Sequence, residues 1–293
     1  MKSIPELPLR ILTHNIRYAT SSPFKGERPW EDRRQLLLNE LLYNTRNQDS
    51  FICLQEVLHN QLIDILSGLN NNEGKPNSQD QWEYIGVGRD DGREAGEYSP
   101  IFYRPATWKL QHWETVWLSE TPDVPSKSWD ASSIRIVTIG AFTHHVSHQT
   151  ILAMNTHLDD QGSRSRFEAA HIILNKIHEY RSGKFGDVIS GVFLAGDFNS
   201  EETQEAYSVL MGPESELVDS GKMVSVAEHY GNQITWTGFG YEDEPASRID
   251  YILLGPKGRS WKVEGYAVLA NKFDDGVYCS DHRAVVADVA LID

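Results

Sequence analysis

Short apolar runs that stop abruptly at polar residues recur along the chain. The clearest is GVFLAGDFNS, residues 191–200, where Val192 to Ala195 precede Gly196 and then Asp197 and Asn199 stand two positions apart. An apolar run that stops at glycine predicts a buried strand opening into a loop. Residues i and i+2 share one face of an extended chain, so a carboxylate and a carboxamide are held side by side at the strand's end. Asp and Asn are also ordinary turn residues, and this stretch alone does not choose between the two readings. Runs of the same kind occupy 9–14 and 50–54, ending at Asn15 and at Gln55 with Glu56. Further strands are predicted over 82–87, 99–104, 108–118, 134–142, 149–155, 247–254, 261–269 and 284–291. Apolar residues at helical spacing predict helices over 31–45, 59–69, 165–180 and 202–210. Residues 70–81, 88–97 and 119–133 read as loops, and 211–232 as irregular. Strands outnumber helices and helices intervene between several of them, which predicts an α/β chain of two sheets with helices packed outside.

Composition narrows the function more than the fold. A length of 293 residues suits one large domain or two small ones. The net charge of -15 argues against a long basic track for nucleic-acid backbone. It leaves room for a small phosphorylated substrate, and for a metal ion that would bring positive charge to its own site. The two cysteines, Cys53 and Cys279, make neither a disulfide framework nor a zinc cluster, and Cys53 in the run FICL is expected to be a buried free thiol. The opening MKSIPELPLR lacks the apolar core of a signal peptide, and no window approaches a membrane span. A cytoplasmic monomer without an integral membrane segment is the expectation.

The polar strand ends carry the candidate chemistry. They fall at Asn15, at Glu56, at His157 in NTHLD and at Asp197 with Asn199; Asp250 in SRIDYI and Asp281 with His282 in CSDHRAV add two more. In α/β proteins ligands bind at strand ends, where loops present polar groups on a rigid frame. Each position also has a plain structural explanation. Asn15 ends a strand, Glu56 opens the next helix as a cap, His157 is a core histidine, and His282 sits in a turn. Asp250, between Ile249 and Tyr251, resists such an explanation most, because a charge in an apolar strand needs a partner. Arg248 and His282 are the candidate partners. A single site would account for all of these positions together.

The ordered set THNIRY, CLQEV, NTHLD, GDFNS, SRIDYI and CSDHRAV resembles the endonuclease/exonuclease/phosphatase superfamily of metal-dependent phosphoesterases, from about residue 9 to residue 291. The resemblance implies a single catalytic domain over 1–293 and a four-layer α/β sandwich, with two mostly antiparallel central sheets flanked by helices. It casts Glu56 as principal ligand of Mg²⁺, with Asn15 beside it, Asp281 as a second ligand and Mn²⁺ as the alternative ion; oxygen donors suit such hard cations. Asp197 resembles the base that orients and deprotonates the attacking water, and Asn199 a phosphate-contacting partner. His282 resembles the histidine that contacts a phosphoryl oxygen, and Asp250 the carboxylate that pairs with it. His157 matches a histidine of the deoxyribonuclease and sphingomyelinase branches, where a glutamate pairs with it. Here Glu97 is the best match for that partner and Glu94 its rival.

The loop GRDDGREAGEYSP, 88–100, is expected either to be solvated or to bring a phosphate-binding arginine, Arg93, to the site. Trp236 in TWTGFG is expected as a substrate platform or an edge core residue. NIRY, WEDRR and EAGEYSPIFYR together resemble a microbial and fungal branch to which the sequence assigns no substrate. The implied activity is metal-dependent hydrolysis of a phosphate ester by in-line attack of water, on nucleic acid or on a small phosphate ester. A phosphatase of a small polyol phosphate or lipid head group is the alternative within the enzyme class. A catalytically idle binding scaffold is the alternative outside it. A retaining glycosidase using paired carboxylates ranks lowest, since it leaves Asn15, Asn199 and the Asp–His set without a task.

Overall fold

The computed structural model describes residues 6–71, 81–183, 185–186, 188–243, 245–258 and 261–292. Most of the expected 70–81 loop lies outside the described residues. In chain order the elements are β1 (Leu7–Asn15), α1 (Trp30–Thr45), β2 (Ser50–Gln55), α2 (His59–Asn70), β3 (Glu83–Ile85), β4 (Ile101–Tyr103), β5 (Trp108–Trp117), β6 (Ile136–His144) and β7 (Thr150–His157). They continue with α3 (Ser163–Ser182), β8 (Ile189–Asp197), α4 (Glu205–Leu210), β9 (Val218–Asp219), β10 (His229–Gly231), β11 (Asp250–Gly255), β12 (Trp261–Val268) and β13 (Val285–Leu291). The segment expected to be irregular, 211–232, thus carries two short edge strands, too brief to leave a periodic signal. No helix among the described residues is long and apolar enough to cross a membrane.

The strands form two sheets, one of seven strands in the order β10-β12-β13-β1-β2-β4-β3 and one of six in the order β5-β6-β7-β8-β11-β9. Most neighbours run antiparallel; β1/β2, β7/β8 and β10/β12 are parallel. The side-chain alternation of a strand sorts each central one into two faces. Leu7, Leu9 and Ile11 of β1, Phe193 and Ala195 of β8, and Ile252 and Leu254 of β11 fill the space between the sheets. Leu12, Ile52 and Leu54 turn outward under Leu37 and Leu41 of α1 and Leu62 and Ile65 of α2. Leu152, Leu194 and Leu253 turn outward under Ala170 and Ile173 of α3 and Leu210 of α4. Helices, sheet, sheet, helices make four layers. Because the central strands are buried on both faces, they read in sequence as unbroken apolar runs rather than alternating ones.

Two features of this layering position the site. Antiparallel pairing of β11 with β8 and of β13 with β1 brings the N-terminal ends of β11 and β13 to the edge where β1, β2, β7 and β8 end. Parity does the rest. Thr13 and Asn15, Gln55, Asn155 and His157, Asp197 and Asp250 all share the inter-sheet face of their strands, by even spacing from the apolar residues named above. The inner core therefore turns polar at one rim.

Candidate active site

Register fixes the neighbours at that rim. Asn15 pairs with Gln55, His157 with Asp197, and Asp250 with Asp197. Gly196 lets β8 come close to β7: its φ is +147°, and a Cβ there would stand 2.0 Å from the Thr156 carbonyl oxygen. Beneath the site, Gln55 Nε2 donates to Asn155 Oδ1 at 2.8 Å and to Thr13 Oγ1 at 2.9 Å. Asn155 Nδ2 donates to the Leu54 and Pro100 carbonyls, both at 2.8 Å. The amide donors of Gln55 and Asn155 are thus met and tie the two sheets together, while Gln55 Oε1 is left without a partner. Arg33 of α1, fully buried, donates to the carbonyls of Ile16 at 2.6 Å, Arg17 at 2.8 Å and Cys279 at 3.0 Å. One helix side chain thereby holds both the turn after β1 and the turn before β13. Cys53 and Cys279 are both free and buried.

Asp197 is the hub. Its Oδ2 accepts from Asn15 Nδ2 at 2.9 Å and lies 3.5 Å from His157 Nε2 and 3.6 Å from His282 Nε2. Its Oδ1 accepts from the Asn199 backbone N–H at 2.9 Å. Burial pushes the Asp197 carboxyl up, and nearby Asp250 adds to this, against the lowering influence of His282, His157 and Asn15. His282 Nδ1 lies 2.9 Å from Asp250 Oδ2, so the partner of that buried carboxylate is His282. Arg248, the rival, is committed to Asp219 at 2.8 Å and Glu202 at 2.7 Å. Burial alone would lower the His282 ring, but Asp250 and Asp197 outweigh it and hold the ring charged, with a pKa raised to about 10. His157 goes the other way, lowered to about 4 by burial and by Arg135. Asp197, Asp250 and His282 bring possible ligand atoms within 4.8 Å of one another. A histidine nitrogen 2.9 Å from a carboxylate is a hydrogen-bonding distance, so a proton holds the His282–Asp250 contact.

Glu56 and Asp281, expected from the sequence to hold a cation, belong to the same site. Glu56 Oε1 accepts from Asn15 Nδ2 at 3.0 Å and Oε2 from the Tyr18 N–H at 3.1 Å, which leaves lone pairs on both oxygens. Asp281 is pushed up by burial and by Glu56, so a positive ion would relieve it. These two carboxylates fit a hard cation. Asn15 differs from expectation: its amide N–H faces Glu56 and Asp197, and its Oδ1 accepts from the Arg17 N–H at 3.0 Å. In that orientation it braces the two carboxylates instead of offering an oxygen. Arg17, Glu56 and Asn199 have left-handed backbone, with φ of 58°, 58° and 45°. Such residues cost on the order of 1–3 kcal/mol each and gather where geometry matters for function.

The site opens into a cavity of about 740 Å³, lined among others by Glu56, Asp197, Asn199, His157, Asp281, His282 and Trp236. Another cavity of about 750 Å³, flanked by Tyr43 of α1 and Tyr266 of β12, contains none of these groups. Glu97 also lines the active-site cavity, but its Oε2 accepts from Arg89 Nη1 at 2.7 Å and stays 3.7 Å from His157 Nδ1. Glu94 is exposed, 3.9 Å from His59. Arg93 is exposed and outside the cavity; the arginine this loop delivers is Arg89. The reason is the loop's own pairing, with Arg89 N donating to Glu97 O at 3.1 Å and Gly88 N to Arg93 O at 2.9 Å. Trp236 bridges Ser247 and His282 through its backbone and lines the rim. Sequence reading missed Arg135. Its Nη1 meets His157 Nδ1 at 2.9 Å and its Nη2 donates to Asp160 Oδ1 at 2.9 Å. The available signal was a charge between Ile134 and Ile136, the same signal that singled out Asp250.

Comparison with known proteins agrees with this architecture. The chain matches the model of the endonuclease/exonuclease/phosphatase family over residues 12–282. A solved protein of that family from Bacteroides thetaiotaomicron is 30% identical, with a TM-score of 0.82 over 98% of this chain and 99% of the other. A mannosyl-6-phosphatase from the same organism is 31% identical, with a TM-score of 0.81 over 96% of this chain and 99% of the other. Nocturnin of Drosophila melanogaster is 23% identical over 295 residues; the match takes in 90% of this chain but 42% of that longer relative. The chain belongs to the endonuclease/exonuclease/phosphatase family of phosphoesterases.

Proposed function

We propose that the protein is a divalent-cation-dependent phosphatase acting on a small, hydroxylated phosphate monoester such as a hexose 6-phosphate. The observation that carries the hydrolytic part is the convergence on Asp197 of Asn15, His157 and His282 at the floor of an open cavity. Glu56 and Asp281 would hold the ion, Mg²⁺ first and Mn²⁺ as the alternative. Once bound, it would offset the charge of the phosphoryl group. Asp197, whose charged form His282 and Asn15 favour against burial and Asp250, takes the proton of a water aligned for in-line attack. His282, charged and oriented by Asp250, donates to a phosphoryl oxygen. Asn199 and His157 offer polar contacts on the opposite side of Asp197.

The leaving group is read from the cavity's charges. Arg17 pairs with Glu27 at 3.2 Å, Arg89 with Glu97 at 2.7 Å, and Arg135 with Asp160 at 2.9 Å. A guanidinium already matched by a carboxylate is a poor receptor for a second phosphate, while an Arg–carboxylate pair suits a hydroxyl, which both donates and accepts. The net charge of -15 and the 31% identical mannosyl-6-phosphatase support the same reading. A second reading, a phosphodiesterase on nucleic acid, draws support from Tyr18, Phe24 and Trp236 on the cavity wall, where aromatic rings suit base stacking. Phosphate release from a panel of hexose phosphates, cleavage of bis(p-nitrophenyl) phosphate and cleavage of a single-stranded oligonucleotide, each with Mg²⁺ and with chelator, separate these readings. Turnover confined to diesters refutes the phosphatase. No turnover of any ester leaves the idle scaffold.

A further inference from the structure

His157 stands between groups that do not match the carboxylate partner its sequence context implies. Its Nδ1 faces Arg135 Nη1 at 2.9 Å, and its Nε2 lies 3.0 Å from Asn199 Nδ2. Both neighbours are N–H donors, yet a neutral imidazole has one lone pair to give. A guanidinium does not deprotonate in a protein, so it takes that lone pair. Nε2 then carries the proton, and the acceptor in reach is Asp197 Oδ2 at 3.5 Å. Asn199 Nδ2 spends one N–H on the Leu158 carbonyl at 3.0 Å, and its other N–H is left facing Nε2 without a lone pair to meet. Arg135 is itself clamped: it is 7% exposed, Nη2 is bound to Asp160, and Nε lies 3.5 Å from Asp159 Oδ2. Asp159 in turn accepts from the backbone of Ser132, Ser133 and Gly162.

We propose that Arg135 is a positioning residue that locks His157 as a neutral ring with its proton on Nε2, aimed at the reacting centre. Two histidines then flank Asp197 in opposite states. Asp250 makes His282 a charged donor; Arg135 makes His157 an uncharged one. Carboxylate pairing at His157 would place the proton on Nδ1 and favour the imidazolium, adding a second positive charge beside the base. Such environments, pushing like groups apart, are how one site obtains two roles from one residue type. The charged groups around His157 are Arg135, Asp197 from β8, Glu97 and Arg89 from the 88–97 loop, and Glu56 beyond β2. The burial cost and Arg135 dominate this set, consistent with the lowered pKa of about 4.

The ring state can be read without turnover. In the Mg²⁺-saturated full chain labelled with ¹⁵N-histidine at pH 7, His157 should show an unprotonated Nδ1 and a protonated Nε2. Arg135→Glu should give a doubly protonated ring, Arg135→Gln a mixture, and Arg135→Lys should restore the wild-type tautomer by keeping a donor. A protonated Nδ1 in the wild type overturns the assignment, as does a His157 signal unmoved by Arg135→Glu and Arg135→Gln alike. Where Arg135→Glu fails to fold, Arg135→Gln carries the comparison. The kinetic arm rests on the phosphatase reading. Arg135→Gln should lower kcat about 10- to 100-fold with KM nearly unchanged, and should introduce an acid limb near pH 6 that the wild type lacks. An unchanged tautomer with lost activity counts against Arg135. A changed tautomer in a protein that hydrolyses no phosphate ester counts against the phosphatase alone.

Discussion

Replacing Asp250 by asparagine removes a charge while keeping the shape of the pair it makes with His282. The two groups meet at 2.9 Å, and their residues are 0% and 4% exposed. The wild-type ring, with a pKa raised to about 10 by Asp250 and Asp197, is fully charged at pH 7.5. Without the Asp250 charge, burial acts against Asp197 and Asp281 and the ring falls back toward its ordinary value of about 6.5, where roughly one-tenth is protonated at pH 7.5. Protonation alone thus accounts for about a tenfold loss. Loss of an oriented donor to a developing oxyanion adds about 10²-fold or more. The expected outcome is a kcat lower by about 10³-fold at pH 7.5, of which about tenfold returns at pH 5.5. The wild-type rate should fall only as pH rises through about 10, and the Asp250→Asn limb should move toward neutrality. Stability follows the same sign. A folded pKa above the unfolded one gives a contribution that is whole below about 6.5 and is lost as pH rises through the folded value. His282→Ala should abolish the limb, and the double variant should be little worse than the poorer single one. Kinetics on the three variants from pH 5 to pH 10.5 decide the matter. An alkaline limb unmoved in Asp250→Asn, or fully additive losses, would refute the pairing.

Glu56→Gln should weaken Mg²⁺ binding by calorimetry at least about tenfold and remove most activity, while the unfolding midpoint in chelator stays at the wild-type value. Equal activity in chelator and in Mg²⁺ would sink the cation assignment. Asp197→Asn should lower kcat by about 10²–10⁴-fold. Because burial and Asp250 raise that carboxyl, the same variant should melt no lower than wild type at pH 8, which thermal unfolding can check. Arg33→Met should destabilise by about 3 kcal/mol or more, since three buried carbonyls lose their donor. It should also weaken Mg²⁺ binding, because the turns bearing Glu56's neighbours and Asp281 are released together. Denaturant unfolding and calorimetry report the two effects separately.

The central strands were legible because burial on both faces turns them into uninterrupted apolar runs, and the polar residue that ends each run marks the rim. Asp197, His157 and Asp250 could be placed at one edge by that signal plus a topology in which β11 and β13 return antiparallel. Their pairing partners could not all be placed. Asp250 had two candidates in sequence, and only tertiary geometry sends Arg248 to Asp219. Arg93 and Arg89 lie four residues apart in one charged loop, where no periodicity tells inward from outward; backbone pairing of Arg89 with Glu97 decides it. Asn15 illustrates a finer limit. Its position at the end of β1 was evident, but whether an amide presents oxygen or nitrogen depends on neighbours 41 and 182 residues away. The edge strands β9 and β10, two and three residues long, carry too few positions to show a period at all.

The opposite states of the two histidines follow from a charge count around the base. Asp197 and Asp250 face each other across β8 and β11, and two carboxylates in one buried place do not both ionise unaided. One positive charge on His282, 2.9 Å from Asp250 and 3.6 Å from Asp197, offsets the repulsion between them. A second positive charge on His157, 3.5 Å from the same Asp197 oxygen, would stabilise the carboxylate further and so weaken it as a base. A neutral His157 still offers an N–H for orientation without that penalty. Arg135 therefore acts on the basicity of Asp197 at one remove, through the ring between them. That predicts a specific ordering: Arg135→Glu should depress kcat more than Arg135→Gln, although glutamate restores the carboxylate partner that the sequence context implies. The reverse ordering would show that His157 works better charged, and that the guanidinium serves only to hold Asp160 and the β7 end in place.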